Sequence, residues 1–267
     1  MMSILDLNAD CLLVLFDFFS IYELIELEKV CKTFKSACNN VYTTRRFHKM
    51  RIELRDLKTD YFSNIFDRIG HTLRNFEFSG GYIMDENVKR TMINGVTESC
   101  PKLHSLTINY TQFSTTNFVQ LQKCFTHLIY LDLSRCGIDE NSLGLTLDSE
   151  KFPHIKTLKL AGNSCMNGSF FRKMKHVEVL DVSYCYELQF DEFLMFLKNC
   201  IQLVDLDVSA SCRLVHGVEN FLSVVYMHQP NVEKLLMENT GMTVEMEVLS
   251  KFSKLKVCCF EGRRFGT

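Results

Sequence analysis

The chain repeats, with variations, the pattern Leu128-Ile-Tyr-Leu131-Asp-Leu133-Ser-Arg-Cys136-Gly-Ile138. Each unit has apolar residues at its first, fourth and sixth positions. Eight units share this spacing: Leu73/Phe76/Phe78, Leu103/Leu106/Ile108, Leu128/Leu131/Leu133, Ile155/Leu158/Leu160, Val177/Leu180/Val182, Leu203/Leu206/Val208, Val232/Leu235/Met237 and Leu255/Cys258/Phe260. The mean step between the first residues of successive units is about 26 residues, so we predict stacked copies of one supersecondary unit.

This pattern resembles the leucine-rich repeat, in which a short strand is followed by a helical return. One unit cannot bury its own apolar face, so the units stack and their strands form a curved parallel sheet, a horseshoe-shaped solenoid of α/β class. Alternate residues of a strand face opposite sides, so Leu131 and Leu133 should point into the core while Tyr130 and Asp132 point outward on the concave side. The ninth position needs a small polar or thiol group, and six units have one there: Thr111, Cys136, Asn163, Cys185, Ser211 and Thr240.

Composition narrows the class of protein. The 267 residues are 46% hydrophobic with a formal net charge of −2, which argues against a dedicated nucleic-acid binder because such proteins are usually strongly basic. The 12 cysteines are scattered, and Cys100 and Cys200 occupy the same repeat position, so we expect reduced thiols in an intracellular compartment, cytoplasm or nucleus. No apolar run approaches membrane-spanning length, and the acids around the run from Cys11 to Phe16 argue against a signal peptide.

The N-terminal segment does not follow the repeat. Leu12, Phe16 and Phe19 fall on one face of a helix. Ser20 and Glu23 have the spacing of a capping box, which begins a second helix. We therefore predict a compact helical unit before the repeats.

This segment resembles an F-box, a helical domain that docks on a Skp-family adaptor. The resemblance rests on Leu7, the aromatic pair Phe18-Phe19, the pair Glu23-Leu24 and the motif from Val30 to Phe34. The family usually has proline where this chain has Asn8, and tryptophan where it has Phe34. The resemblance implies that the adaptor is bound by apolar residues among the following: Leu7, Leu12, Leu15, Phe16, Phe19, Leu24, Leu27, Val30 and Phe34.

We predict three parts: an all-helical F-box-like domain over residues 1–42, a connector over 43–70 and a leucine-rich-repeat domain over 71–267. The connector contains a basic run from Thr44 to Arg51, which we interpret as a solvated helix face rather than a nuclear-import or nucleic-acid signal. The last unit has Cys258 at a leucine position and Arg263 in the ninth position, so we expect it to fray or to cap the open end.

No sequence motif indicates catalysis, a cofactor or a metal site. The chain has no HExxH, CxxC, P-loop or G-x-G-x-x-G motif. The histidines are spread singly, and four of them lie near the predicted strand starts, where repeat position explains them better than catalysis: His104, His127, His154 and His176. We therefore predict a protein that is not an enzyme.

An F-box followed by leucine-rich repeats is the order expected of one group of adaptors. The resemblance implies a substrate-recognition subunit of a Skp-cullin-F-box (SCF) ubiquitin ligase, in which the repeats hold a protein substrate for ubiquitination and proteasomal degradation. Its partners would be the Skp adaptor, through it a cullin-RING ligase, and the substrate, with no nucleic acid or membrane. The alternative is a non-catalytic leucine-rich-repeat scaffold or regulator whose N-terminal helices only cap the solenoid.

The outward strand positions carry more acids than bases. One hypothesis is that a basic substrate segment docks on this face through six residues: Tyr130, Asp132, Asp181, Asp205, Asp207 and Glu238. The alternative is a solvated face, because Leu-Asp-Leu-Ser is common in such repeats and exposed charge usually serves solubility.

Overall fold

The computed structural model describes residues 4, 7–139, 152–216, 220–241 and 246–265. The architecture is mixed α/β, with three N-terminal helices followed by one long sheet. The described helices are α1 Ala9–Phe16, α2 Ile21–Leu27, α3 Lys32–Tyr42, α4 Phe62–Ile69, α5 Glu86–Ser99, α6 Thr115–Leu121, α7 Phe190–Asn199, α8 Cys212–His216, α9 Phe221–His228 and α10 Met246–Leu249.

The sheet has ten strands in chain order. They are β1 Lys49–Glu53, β2 Asn75–Ser79, β3 Ser105–Asn109, β4 Tyr130–Asp132, β5 Thr157–Lys159, β6 Val179–Asp181, β7 Asp205–Asp207, β8 Lys234–Leu236, β9 Val257–Phe260 and β10 Arg263–Phe265. Strands β1 to β9 pair in parallel, each with the next. Each of the eight sequence units contributes one parallel strand, as predicted.

The fourth position of each unit forms one buried column across the sheet. Paired in register, and each with no exposed surface, are Phe76, Leu106, Leu131, Leu158, Leu180, Leu206, Leu235 and Cys258. The helical returns bury their apolar sides in the same core, as Phe193 and Phe196 of α7 do. The acidic residues in the first turn of α7, Asp191 and Glu192, suit the positive end of the helix dipole.

The sheet begins earlier than the sequence pattern predicted. Strand β1 lies inside the predicted connector and pairs in parallel with β2, placing Ile52 beside Phe78. The arginines and lysine of the basic run are exposed, as we interpreted them, but only Arg45–His48 is helical, as a 3₁₀ turn, and residues 49–51 belong to β1. Phe47, Met50 and Ile52 keep the spacing of the first, fourth and sixth positions, and the strand escaped prediction because its basic residues were interpreted as a helix face. The boundaries of the three proposed parts stay a prediction.

The last strand runs in the opposite direction from the others. The chain turns at Gly262, which has a φ of 73°, and β10 pairs antiparallel with β9. Phe265 then stacks on Phe260 with ring centroids 5.0 Å apart. Arg263 therefore lies in a strand that covers the edge of β9 rather than in another turn of the repeat.

In the six units with a small polar or thiol group at the ninth position, that side chain forms hydrogen bonds in the turn out of the strand, as predicted. The thiol of Cys136 donates to the carbonyl of Ile108 at 2.9 Å, and the hydroxyl of Ser211 donates to the carbonyl of Val182 at 2.7 Å. The preceding, eighth position has positive φ in seven successive units: Tyr110, Arg135, Gly162, Tyr184, Ala210, Asn239 and Gly262. One turn geometry thus recurs along this edge of the sheet.

Candidate functional site

The three N-terminal helices pack around a small apolar core. Phe16 and Phe34 meet edge to face with ring centroids 5.1 Å apart, and Leu12 and Leu24 have no exposed surface. The predicted capping box begins α2, where the Ser20 amide donates to the Glu23 carboxylate at 2.7 Å. Asn8, at the usual proline position of the motif, caps α1 by accepting a hydrogen bond from the Cys11 amide.

The nine predicted adaptor-binding residues separate into two groups. Four form the core and have almost no surface to offer a partner: Leu12, Phe16, Leu24 and Phe34. The other five are partly or largely accessible: Leu7, Leu15, Phe19, Leu27 and Val30. Direct contact with an adaptor is therefore restricted to the second group, while the first group supports the helices from beneath. The binding itself stays a prediction.

Two further apolar residues are accessible that the sequence analysis did not select. Phe18 is 83% exposed and Val14 is 66% exposed, and Val30 reaches 62%. Val14 lies in α1, and Phe18 lies in the turn that follows the end of this helix at Phe16. The amphipathic pattern missed them because it selects the face that packs inward.

A groove joins α2 to the segment that precedes α4. Its volume is about 300 Å³, and Phe19 and Leu27 line it together with Tyr22 and Tyr61. The rings of Tyr22 and Tyr61 meet edge to face at 5.7 Å, and the Tyr61 hydroxyl donates to Glu26 at 2.6 Å. Two of the predicted contact residues therefore share one surface with a residue from the predicted connector.

The helices are tied to the sheet region by charged groups. Arg46, next to β1, donates hydrogen bonds to the backbone carbonyls of Asp17 and Phe19 at the end of α1. Arg68 of α4 donates to both carboxylate oxygens of Glu28, at 2.6 to 3.1 Å, and Tyr42 donates to the same carboxylate.

Glu28 is only 9% exposed. Burial alone would raise the pKa of its carboxyl, but the hydrogen bonds and charge of Arg68 outweigh burial and lower the pKa. Glu28 therefore stays ionised and holds the end of α2 against α4.

The six predicted substrate-binding residues lie in or next to β4, β6, β7 and β8. Strand pairing sets Lys159 between Asp132 and Asp181, and sets Asp181 beside Asp207. Lys159 also lies over the ring of Tyr130, 5.9 Å from its centroid. The structure thus brings the predicted residues to one face of the sheet, with a lysine among them.

These acids already have internal partners. Asp132 is 8% exposed, and it accepts hydrogen bonds from the amide and hydroxyl of Ser134 at 3.0 and 2.6 Å. Asp181 binds Ser183 in the same way. Lys234 forms an ion pair with Asp205 at 2.9 Å.

Asp207 and Glu238 are also engaged. The Ser209 amide donates to Asp207, and the Gly262 amide donates to Glu238 at 2.7 Å. Burial raises the pKa of Asp207, and the charge of Asp181 raises it further. These contacts give each predicted residue a structural role, and substrate binding at this face stays a prediction.

Burial governs the thiols as well. It raises the pKa of Cys100 and of Cys185 to about 12.

In the part of the chain that the structure describes, no group of three or more His, Cys, Asp or Glu side chains could hold a metal ion. No described helix is long and apolar enough to cross a membrane.

Comparison with protein families assigns the N-terminal helices. Residues 4–46 match the F-box domain family. This part of the chain is an F-box domain. The F-box thus includes α1 to α3, the exposed Val14, Phe18 and Val30, and Arg46, which joins α1 to the start of the sheet.

No curated protein matches the chain significantly. Among solved structures, the chain is similar to one in the crystal structure of the Rad7 and Elc1 complex in yeast, with 12% identity and a TM-score of 0.46 over 84% of this chain and 78% of that one. It is also similar to the tropomodulin C-terminal domain of Caenorhabditis elegans, with 12% identity and a TM-score of 0.36 over 62% of this chain and 89% of that one.

Proposed function

We propose that this chain is a substrate-recognition subunit of an SCF-type ubiquitin ligase. In this proposal the F-box docks on a Skp-family adaptor, which connects it to a cullin-RING ligase. The parallel array is a leucine-rich-repeat solenoid that holds a protein substrate for ubiquitination and proteasomal degradation. The chain itself catalyses nothing and acts inside the cell. The observation that carries the proposal is the F-box domain at residues 4–46, joined to a long array of parallel strands.

The exposed apolar residues of the F-box support the adaptor role. Phe18, Val14 and Val30 are each more than 60% exposed, although this small domain has a core of its own. Large exposed aromatic and aliphatic side chains are typical of protein interfaces, where aromatic anchors contribute much of the binding energy.

The alternative is that the helices cap the array and bind no adaptor. The ion pair of Glu28 with Arg68 favours a capping role, since it joins the F-box to α4 at the start of the sheet region. The two roles are compatible, because the capping contacts do not use Phe18 or Val30. Adaptor binding is therefore the measurement that separates them.

The test is co-purification with a Skp-family adaptor after the double change Phe18→Asp, Val30→Asp. Both side chains are exposed, so the variant should fold, and we expect adaptor binding to fall below detection because two charges would be buried at the interface. The matched control is Ile83→Asp, an equally drastic change at a residue that is 97% exposed after β2. It should bind like the unmodified chain. Undiminished binding by the folded double variant would refute the proposed interface.

A further inference from the structure

The residues immediately before the strands form one row along an edge of the sheet. The Arg74 amide donates to the His48 carbonyl, the His104 amide to the Arg74 carbonyl, the Ile129 amide to the His104 carbonyl, and the Lys156 amide to the Ile129 carbonyl, all at 2.8 to 2.9 Å. Neighbouring strands lie about 4.8 Å apart, so the row covers roughly 19 Å. Four of its five side chains are basic or imidazole groups.

A second set of side chains stands beside this row. Lys102, His127, His154 and His176 line, with His104 and Lys156, one surface groove of about 730 Å³. Pro101, Ile129 and Pro153 add apolar surface, and no carboxylate lines the groove. We call this surface the basic rim, and define it by Arg74, Lys102, His104, His127, His154 and Lys156.

The positive charge of the basic rim is largely uncompensated. Within the described ranges, Arg74 and Lys102 form no ion pair, while Lys156 pairs with Glu178 at 2.7 Å. Next to the rim, burial lowers the pKa of His48, and the charges of Arg74, Arg45 and Lys102 lower it further. The charges of Arg74, Arg45 and Lys102 therefore all act on the His48 imidazole.

The second half of the same row has a different balance of charges. It continues through Glu178, Val204, Glu233 and Lys256, and Lys256 pairs with Glu233 at 2.5 Å. Acids and bases balance there, whereas Arg74 in the first half of the row, and Lys102 beside it, have no ion-pair partner among the described residues of a chain whose net charge is −2. The charge is thus confined to one stretch of the edge.

We propose that the basic rim binds an extended, acidic segment of a protein. Charge complementarity selects carboxylate side chains, which the guanidinium, ammonium and imidazole donors can bind. At about 3.3 Å per residue, a segment of roughly six residues would cover the row. This inference rests on the proposed function in one respect: the acidic segment would belong to the substrate of the ligase.

A protein segment fits the groove better than a nucleic acid does. Single-stranded nucleic acids stack on aromatic platforms along a strongly positive channel. The groove lining has no Phe, Tyr or Trp, and its apolar surface comes from proline and isoleucine. The backbone and aliphatic side-chain carbons of a peptide can pack on such a surface while the flanking cations bind its carboxylates.

The test uses the whole purified chain and a fluorescein-labelled peptide whose six central residues alternate Glu and Asp between Gly-Ser flanks. Fluorescence anisotropy should detect binding that weakens as salt rises, and a Gln/Asn version of the peptide should not bind. The variant Arg74→Gln, Lys102→Gln should weaken binding by about tenfold or more. The control Lys198→Gln, Lys254→Gln removes the same charge at exposed residues away from the groove and should bind within about twofold of the unmodified chain.

Three results would overturn the proposal: equal weakening by the control variant, equal binding of the Gln/Asn peptide, or tighter binding of a single-stranded oligonucleotide. All four exchanged side chains are on the surface, and circular dichroism checks that both variants fold. Adaptor co-purification is measured on the same samples and does not involve the rim. A failure of the ligase assignment is therefore distinguishable from a failure of the acidic-segment site.

Discussion

Asn163 makes the most complete set of hydrogen bonds in the turns that leave the strands. Its amide group donates to the carbonyls of Leu133 and Leu160, at 2.9 and 2.7 Å. Its side-chain oxygen accepts from the amides of Cys136 and Ile138, at 3.0 and 3.1 Å. The residue has no exposed surface. One buried side chain therefore satisfies four backbone groups of two neighbouring units.

We expect Asn163→Ala to lower the free energy of unfolding by about 2–4 kcal/mol, because buried backbone donors and acceptors would lose their partners. Urea denaturation followed by circular dichroism measures the change. Asn39→Ala, at an exposed site in α3, is the control and should have little effect. Similar losses in both variants would contradict the role assigned to Asn163.

The left-handed backbone at the eighth position of the units strains residues that have a Cβ. Ala210 has a φ of 57° and is 6% exposed. A residue with a Cβ is strained in this conformation by about 1 kcal/mol relative to glycine. Ala210→Gly should therefore stabilise the protein or leave it unchanged, whereas Ala161→Gly, at a neighbouring position with negative φ, should destabilise it. Denaturation midpoints of the two variants provide the measurement, and a larger loss at Ala210 would contradict the strain.

At the scale of elements, a largely buried ion pair between Glu28 and Arg68 contributes to the joint between the F-box and the sheet. Arg68→Met would leave the Glu28 carboxylate buried with Tyr42 as its remaining hydrogen-bond donor. We expect a loss of about 2–4 kcal/mol near neutral pH, measured by urea denaturation, because a buried charge without its partner is costly. Arg213→Met breaks an ion pair with Glu187 at the surface and should cost much less.

This loss should depend on pH in a definite direction. In the unmodified chain the pKa of Glu28 is lowered, so the contribution of the pair is complete above the usual Glu range and disappears as pH falls through the folded-state pKa. In Arg68→Met, burial, the largest influence on this carboxyl, is opposed only by Tyr42 and Lys35 and should raise the pKa, so the folded variant binds a proton more readily than the unfolded chain. The difference in stability between the two proteins should shrink from pH 7 to about pH 4.5. A constant difference would contradict an ionised Glu28.

At the scale of the whole molecule, one apolar core extends from the F-box to the last parallel strand. It includes Leu12 of α1, Leu131 of β4 and Phe260 of β9. Leu131 has no exposed surface and lies in the middle of the buried column. The core has no break at the end of the F-box, which indicates that the F-box and the sheet stabilise each other.

Leu131→Ala should therefore lower the stability of the whole chain, by about 2–5 kcal/mol through the cavity it leaves. Hydrogen exchange followed by mass spectrometry should show faster exchange in both β2 and β7, on opposite sides of the cavity. Leu255→Ala, at a half-buried position near the end of the array, is the control and should have a smaller effect. Faster exchange confined to β4 and its two neighbours would show that the two halves unfold independently.

The sequence pattern predicted the eight later parallel strands, the capping box at Ser20 and the small polar group at position 163. These features can be predicted from the sequence, because a period of about 26 residues and the capping-box spacing at a helix start are both patterns along the chain. It missed β1 because the basic residues around Phe47, Met50 and Ile52 were interpreted as a helix face, although these three apolar residues keep the spacing of the first, fourth and sixth positions. It also selected Leu12 and Phe34 as contact residues, because an apolar helical face looks the same whether it meets a partner or its own core.

Periodic apolar spacing along the chain was thus sufficient for the order and direction of the strands, because each unit must bury its face against the next. Only the tertiary structure determines which polar side chains have no hydrogen-bond or ion-pair partner. The sequence predicts that Asp132 and Asp205 are exposed acids. In the structure, Ser134 donates a hydrogen bond to Asp132, and Lys234 forms an ion pair with Asp205. Arg74 and Lys102 look like scattered bases, yet strand pairing sets their units side by side at one edge, and neither forms an ion pair with a described residue. Charge acts through distance in space, and that distance is set by packing rather than by position in the chain.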